Sequence, residues 1–274
     1  MKNINTVLII ITLLIAAGCR NNTTAYVYLG QLYSTFGHGM QEKIKGEVKE
    51  FRQTHFWAEE VNGKIVKGRA YTIEDRKTDP LGRDYAEEFN PSGGVVRSTT
   101  FDDNGNIILE VKVETEGKIL RSSEYYMIST LRNRVTYRYE GERMVEAFTK
   151  DPANDTLMMS IKYEYDQVGN IVKTQNFNFR NEPQGYNTIE RNENGSPIKT
   201  RSYNNDGKLT SLHDYTYNEK GERIGHHEEN FNSGHTLDLT FKYEYDNIGN
   251  YTAIIFMRDG KPFIYRVREI TYYE

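Results

Sequence analysis

The sequence contains very little cysteine and no cluster of basic residues. Its 274 residues include a single cysteine, Cys19, so the chain cannot form an internal disulfide and a disulfide-stapled fold is excluded. The 35 Lys and Arg residues are interspersed among 39 Asp and Glu residues, which gives a formal net charge of −4. Binding to nucleic acid depends on a basic surface patch, and we therefore predict no nucleic-acid partner.

Sequence motifs of known catalytic chemistry are also missing. The chain has no Gly-x-Ser-x-Gly nucleophile motif, no phosphate-binding glycine loop and no His-Glu-x-x-His zinc motif. Consecutive carboxylates such as Glu228 and Glu229 project from opposite faces of a strand, which does not suit paired acid–base chemistry. We expect a protein that is not an enzyme and needs no cofactor. A glycan-acting enzyme is the less favoured alternative, since two carboxylates could still face each other across a groove.

Long apolar runs are missing except at the amino terminus. There, an apolar run from Val7 to Ile15 is followed by the small residues Ala16, Ala17 and Gly18 and then by Cys19. The run is too short to cross a bilayer as a helix. It resembles the signal peptide of bacterial lipoproteins, although Ala16 occupies the place where leucine is usual. The resemblance implies cleavage after Gly18 and lipidation of Cys19; an ordinary secretory signal is the alternative.

The signal sequence sets the predicted organisation of the chain. Residues 1–18 form the signal peptide, residues 19–45 a tether and irregular lead-in, and residues 46–274 a single β-repeat domain. No acidic cluster follows Cys19, and in lipoproteins of the Bacteroides type such a cluster often marks export to the cell surface. We therefore expect a lipid-anchored protein of the bacterial cell envelope, at the outer membrane and on its periplasmic side.

One nine-residue sequence motif occurs twice in the rest of the chain. It reads KYEYDQVGN at residues 162–170 and KYEYDNIGN at residues 242–250, and each copy follows a run in which apolar and polar residues alternate. Alternation with period two indicates a strand with one apolar face. The Asp-x-x-Gly end predicts a hairpin turn, since the carboxylate accepts the backbone N–H two residues on and glycine adopts the left-handed conformation. We therefore expect positive φ at Gly169 and Gly249.

Similar turn signals recur mostly every 11 to 14 residues, about one strand plus one turn. The sequence therefore predicts an all-β fold, a long antiparallel meander of about seventeen strands between Gly46 and Tyr273. A twisted open sheet rarely holds so many strands, and we expect a curled or spiralling sheet. No helix is predicted, because no amphipathic run of helical period carries both caps.

The spacing of the turns also assigns them to edges, because consecutive turns of a meander alternate between its two edges. Four turns lie about 26 to 28 residues apart and are therefore predicted to share one edge. They follow Tyr165, Arg191, Tyr217 and Tyr245.

Five units in which an aromatic residue precedes Asp or Asn and then x-x-Gly resemble the Rhs or YD repeat. They occupy residues 101–106, 165–170, 203–208, 217–222 and 245–250. That family includes the Rhs and Tc toxin shells, bacterial wall-associated proteins and the teneurins, and its repeats form a spiralling β-ribbon that encloses a toxin or presents a binding surface. This chain is too short for a toxin-sized shell and lacks the autoprotease core and the carboxy-terminal toxin. It looks more like the short YD-repeat lipoproteins of Bacteroides relatives, for which the resemblance implies no enzyme activity.

Histidine is the first residue to consider for metal binding. His226 and His227 are adjacent, with His213 and His235 one strand away on either side. Adjacent strand residues point to opposite faces, so His226 and His227 cannot both ligate one ion without a bulge. His213 could approach one of them, but we find no cysteine and no second in-register carboxylate to complete a site. We therefore predict packed or solvated histidines and no metal site.

Tyrosine is the remaining signal, because Tyr-x-Tyr pairs stand just before turns. Cross-strand tyrosines stabilise a sheet and fill its concave side, and this structural interpretation is the simpler one. The alternative is an aromatic platform that stacks sugar rings or grips a partner. The binding surface predicted on this basis comprises Tyr163, Tyr165, Tyr215, Tyr217, Tyr243 and Tyr245.

Two functional hypotheses follow from these features. The first is a non-catalytic envelope lipoprotein, attached to the membrane through its lipid, whose repeat sheet binds or scaffolds a glycan or another envelope protein. The second is a structural module that assembles with other chains through free sheet edges. A transmembrane barrel is disfavoured, because Lys199 and Arg201 alternate onto the face of Tyr203 and contact with lipid would penalise them.

Overall fold

The computed structural model describes residues 25–27, 42–78, 83–116 and 119–274. The predicted signal peptide and Cys19 lie outside the described residues. The elements in chain order are β1 (Ala25–Val27), β2 (Glu42–Ile44), β3 (Val48–Val61), β4 (Lys64–Ala70), α1 (Ile73–Thr78), β5 (Tyr85–Phe89), β6 (Val95–Phe101), β7 (Ile107–Glu116), β8 (Ile119–Met127), β9 (Thr130–Glu140), β10 (Arg143–Lys150), β11 (Leu157–Tyr165), β12 (Ile171–Asn178), β13 (Pro183–Arg191), β14 (Pro197–Tyr203), β15 (Leu209–Tyr217), β16 (Arg223–Asn230), β17 (His235–Tyr245), β18 (Tyr251–Arg258) and β19 (Lys261–Tyr272).

The meander closes into a barrel. The seventeen strands β3 to β19 confirm the predicted strand count, and each pairs antiparallel with the next, except that β5 pairs with β3 rather than with β4. The first long strand and the last one pair from Trp57–Ile264 to Val48–Tyr272. Because β4 pairs only with the outer end of β3, sixteen strands form the closed ring. The expected curled or spiralling sheet is therefore wrong in this respect, because pairing of β19 with β3 joins the two ends of the meander into a ring.

Two further predictions about local structure need correction. A six-residue helix, α1, follows β4 although no helix was expected. Its first turn is a capping box, in which the Asp75 carboxylate accepts the Thr72 N–H at 2.8 Å and the Asp75 N–H donates to Thr72 Oγ1 at 3.3 Å. One and a half turns are too short to show a helical period. In addition, the short strands β1 and β2 pair within the segment predicted as an irregular tether.

The predicted hairpin turns are confirmed. Asp166 Oδ1 accepts the N–H groups of Val168 and Asn170 at 3.0 and 2.8 Å, and Gly169 has φ of 93°. The turn at Asp246 has the same bonds, and Gly249 has φ of 88°. Left-handed glycine in a turn of this kind places a β-bulge beside the hairpin, and the ladder shifts register there.

The inner wall of the barrel carries the core in two apolar clusters. The larger one extends from β3 through β5 to β13 and includes Phe51, Val111 and Tyr163. The smaller one lies on β17 to β19 and includes Phe241 and Ile254. Between them, the inner wall of β14 to β16 belongs to neither cluster. Most strands bury their apolar side chains on the inner face, as the alternating sequence predicts, whereas β18 also buries Ala253, Ile255 and Met257 on its outer face.

The outer wall carries cross-strand ion pairs. Glu124 pairs with Arg134, Glu164 with Lys173, Glu190 with Arg201, Lys199 with Asp214, and His227 with Asp238. Tyr203 lies on this outer wall and stacks on Tyr186, with ring centroids 4.6 Å apart. It therefore shares a face with Lys199 and Arg201, as expected, but not with the inward tyrosines.

Candidate functional site

Polar side chains replace the apolar core on the inner wall of β15 and β16. His213 and Tyr215 alternate on β15, and His226 and Glu228 alternate on β16. The register places His213 opposite Glu228 and Tyr215 opposite His226. All four side chains are at most 6% exposed. A group of buried titratable residues at facing positions of two neighbouring strands is a candidate site.

Two imidazoles and a carboxylate converge in this group. His213 Nδ1 lies 3.1 Å from His226 Nε2 and 3.9 Å from Glu228 Oε2. One ligand atom from each of the three residues lies within 4.8 Å of the other two. The rings of His213 and His226 are nearly parallel, with an interplanar angle of 12°, and Tyr215 stacks on His226 with centroids 5.0 Å apart.

Burial governs the charge state of these groups. Desolvation, reinforced by the nearby Arg223 guanidinium, lowers the pKa of His213 to about 4, so this imidazole is neutral at pH 7. Desolvation also raises the pKa of Glu228 above its ordinary value. The Arg223 guanidinium lies over the Tyr215 ring at 4.2 Å from the centroid.

The outward neighbour His227 has a different environment. Its Nδ1 contacts the Asp238 carboxylate at 2.8 Å and its Nε2 contacts Glu229 at 3.1 Å. These hydrogen bonds raise the pKa of His227, with that to Asp238 contributing most. The prediction that His226 and His227 face opposite ways is confirmed. The expectation that no second in-register carboxylate would complete a site with His213 is wrong, because Glu228 lies opposite His213 across the strand pair.

The six tyrosines of the predicted binding surface all lie on the inner face but differ in exposure. Tyr163 and Tyr215 are buried, whereas Tyr245 is 40% exposed. Three others are part-buried and donate their hydroxyls to backbone carbonyls of the preceding strand. These bonds are Tyr165 to Met144 at 2.5 Å, Tyr217 to Pro197 at 2.7 Å and Tyr243 to Arg223 at 2.6 Å.

A second polar group on the inner wall comes from β3, β18 and β19 and has no counterpart in the sequence predictions. His55 contacts the Asp84 carboxylate through Nδ1 at 2.9 Å and accepts Arg266 Nε at its Nε2, also at 2.9 Å. Gln53 Oε1 accepts from Arg268 Nε at 3.2 Å and from the Tyr251 hydroxyl at 3.1 Å. Burial is the main cause that lowers the pKa of His55 to about 4, and the positive charge of Arg266 is the second. Tyr251, Arg266 and Arg268 lie about 200 positions from Gln53 and His55 in sequence and meet them only because the barrel closes.

Comparison with known proteins assigns no family to the chain. Within the described part of the chain, no helix has the length and apolar character needed to cross a bilayer. No protein-family profile matches the chain, and no curated protein matches it in sequence.

Several solved structures are similar to it at low identity and low TM-score. One is a chain of the Tc holotoxin pore of Photorhabdus luminescens, with 12% identity and a TM-score of 0.32 over 79% of this chain. The alignment spans only 14% of that toxin chain. Porin-like proteins from Bacteroides uniformis and Bacteroides vulgatus are 12% identical, with TM-scores of 0.36 and 0.35. Those alignments cover 82% and 84% of this chain and 98% and 99% of the porin-like chains. At these values the likeness assigns neither a family nor a function.

Proposed function

We propose that this protein is a non-catalytic, lipid-anchored protein of the bacterial cell envelope, similar to short YD-repeat lipoproteins, whose barrel scaffolds a glycan or another envelope protein. The observation that carries the proposal is the position of the repeat tyrosines. The hydroxyls of Tyr165, Tyr217 and Tyr243 donate hydrogen bonds to backbone carbonyls of the neighbouring strand, and Tyr163 is buried. Rings held in this way stabilise the wall and offer little surface to a ligand.

The outer wall supports attachment through a lipid at Cys19 rather than insertion of strands into the bilayer. Strand barrels that span membranes present an apolar band to lipid. Here the outer face of the central strands carries cross-strand ion pairs such as Glu164–Lys173 and Lys199–Asp214. Assembly through free sheet edges is correspondingly less favoured, because every strand of the closed ring is paired on both sides.

The anchor is tested by replacing Cys19 with serine in the full-length chain. We expect Cys19→Ser to abolish acyl labelling and to move the protein from the membrane fraction to the soluble fraction. A serine variant that stays in the membrane fraction contradicts the proposed anchor.

The scaffold role is tested with two tyrosine variants that differ in burial. Tyr165→Ser should lower the melting temperature, since it removes a part-buried ring and the bond to the Met144 carbonyl. Tyr245→Ser should leave the melting temperature unchanged, because its ring is 40% exposed. Capture of glycan or protein from an envelope extract should also be unchanged, because the scaffold role does not depend on contact with an aromatic ring. Loss of capture with Tyr245→Ser at an unchanged melting temperature would instead support an aromatic binding platform.

A further inference from the structure

We propose that His213, His226 and Glu228 form a binding site for a divalent transition-metal ion of the zinc type on the inner wall of the barrel. This inference is independent of the proposed scaffold role, which needs no metal. Two imidazoles and one carboxylate are the donor set that proteins use for zinc and similar ions when one or more coordination positions remain open. All three residues come from the adjacent strands β15 and β16.

The distances suit a shared ion. Ligands about 2.1 Å from zinc lie roughly 3.0 to 3.4 Å apart when the angle at the metal is between about 90 and 110°. His213 Nδ1 and His226 Nε2 are 3.1 Å apart. Glu228 Oε2 lies 3.9 Å from the same His213 nitrogen, and a carboxylate at the end of a flexible side chain closes that difference by a small rotation. The three ligand atoms already lie within 4.8 Å of one another.

The surroundings hold the ligands in place. His213 and Glu228 face each other in a ladder that is paired on both sides, and the stacked rings of Tyr215 and His213 flank the His226 imidazole. Preorganised ligands lose little freedom when an ion binds. In the present contact, the two facing imidazole nitrogens must share one proton. A metal ion would accept a lone pair from each nitrogen and leave neither as a donor.

Charge makes Glu228 the decisive ligand. The Arg223 guanidinium lies 4.2 Å from the centroid of the Tyr215 ring and would repel a cation bound beside that ring. Glu228 is the acidic member of the group, and its Oε2 lies 3.9 Å from Nδ1 of His213, an imidazole that is neutral at pH 7. A divalent ion would supply the close positive partner that a buried carboxylate requires.

The experiment measures zinc retention by the full chain after chelator treatment, reloading with Zn²⁺ and dialysis. We expect one tightly held zinc per chain, and a loss of affinity of at least tenfold in Glu228→Gln and in His226→Asn. His227→Asn is the matched control, because His227 is the next residue on the same strand and faces the outer wall with Asp238 and Glu229. That variant should retain zinc as the parent does. Absence of retained zinc in the parent, or equal retention in Glu228→Gln, overturns the proposal.

A second readout separates binding from folding. Zinc should raise the melting temperature of the parent and of His227→Asn, because a ligand that binds only the native state stabilises it. The same addition should leave Glu228→Gln unchanged. Glutamine keeps the size of the side chain, so this variant decides the question even where His226→Asn fails to fold. A zinc-dependent rise of parental size in Glu228→Gln would assign the ion to another place on the chain and refute the site.

Discussion

Replacing Gly185 with alanine tests the geometry of the barrel wall most directly. Gly185 lies in β13 with φ of +132°. A Cβ added there would lie 2.5 Å from the carbonyl oxygen of Tyr203 in the paired strand β14 and 3.5 Å from the Cα of Asn204. Neither atom belongs to a flexible side chain. Alanine is therefore accommodated only if β13 moves away from β14.

Gly207 is the matched control for this change. It also has positive φ, +75°, but a Cβ at this turn position meets nothing within 4 Å. Both alanine variants carry the strain of a left-handed backbone, roughly 1 to 2 kcal/mol. Only Gly185→Ala adds a clash with fixed backbone, for which overpacking costs of about 1 to 3 kcal/mol are typical. We expect a loss of roughly 2 to 5 kcal/mol for Gly185→Ala and about 1 to 2 kcal/mol for Gly207→Ala.

Urea denaturation of both variants and the parent measures these losses. The free energy of unfolding should fall further for Gly185→Ala than for Gly207→Ala by about 2 kcal/mol, at an unchanged slope with urea. Equal losses in the two variants would refute the close approach of β13 to β14. A larger loss for Gly207→Ala would refute the assignment of strain and clash altogether.

Two further predictions concern buried hydrogen bonds. Tyr217→Phe removes the donor to the Pro197 carbonyl and should lower the free energy of unfolding, measured by urea denaturation, by about 1 kcal/mol. Tyr186→Phe on the outer wall should lower it by less. Equal losses in the two variants would contradict the role assigned to the Tyr217 hydroxyl. His55 has a pKa of about 4 in the folded state, below its ordinary value of 6.5, so the folded protein favours the neutral imidazole. The stability of the protein should therefore fall as the pH drops from about 6.5 towards 4. Between pH 7.5 and 4.5, protonation of His55 should lower the free energy of unfolding by about 2 to 3 kcal/mol. In His55→Asn the free energy of unfolding should depend less on pH by that amount. An unchanged dependence would exclude His55 as its source.

Local features of the fold could be predicted from the sequence because they depend on neighbouring residues. Asp-x-x-Gly sets the turn chemistry, and its spacing yields the strand count and the edge on which each turn lies. Closure could not be predicted in this way, because it depends on nine residue pairs between the first and last strands of the ring, more than 200 positions apart. The polar group around Gln53, His55 and Arg268 was missed for the same reason.

The candidate metal site was missed for a more local reason, a β-bulge. In the hairpin of β15 and β16 the register shifts by one residue beside the turn, between Thr216 and Tyr217. This shift places Glu228 opposite His213. If the register of the Tyr217–Arg223 pair beside the turn continued along the strands, His227 would lie opposite His213 instead. Since strand side chains alternate with period two, one residue decides whether a histidine faces the inner or the outer wall. The turn motif itself, with its left-handed glycine, was the available signal for this bulge.

The same bulges explain the role of four inward tyrosine hydroxyls, those of Tyr139, Tyr165, Tyr217 and Tyr243. Each shift in register beside a turn leaves a carbonyl at the start of the following strand outside the regular ladder, and a buried carbonyl needs a donor. The acceptors are the carbonyls of Leu120, Met144, Ile171, Pro197 and Arg223, and each belongs to the residue at which the register shifts. Tyrosine hydroxyls supply four of the donors, and at Ile171 the guanidinium of Arg191 donates instead, at 3.0 Å. Because arginine takes the same position, the requirement is for a long side chain that ends in a donor and not for an aromatic face. Ligand binding is therefore to be sought in residues that the repeat does not need, which are His213, His226 and Glu228 on the inner wall.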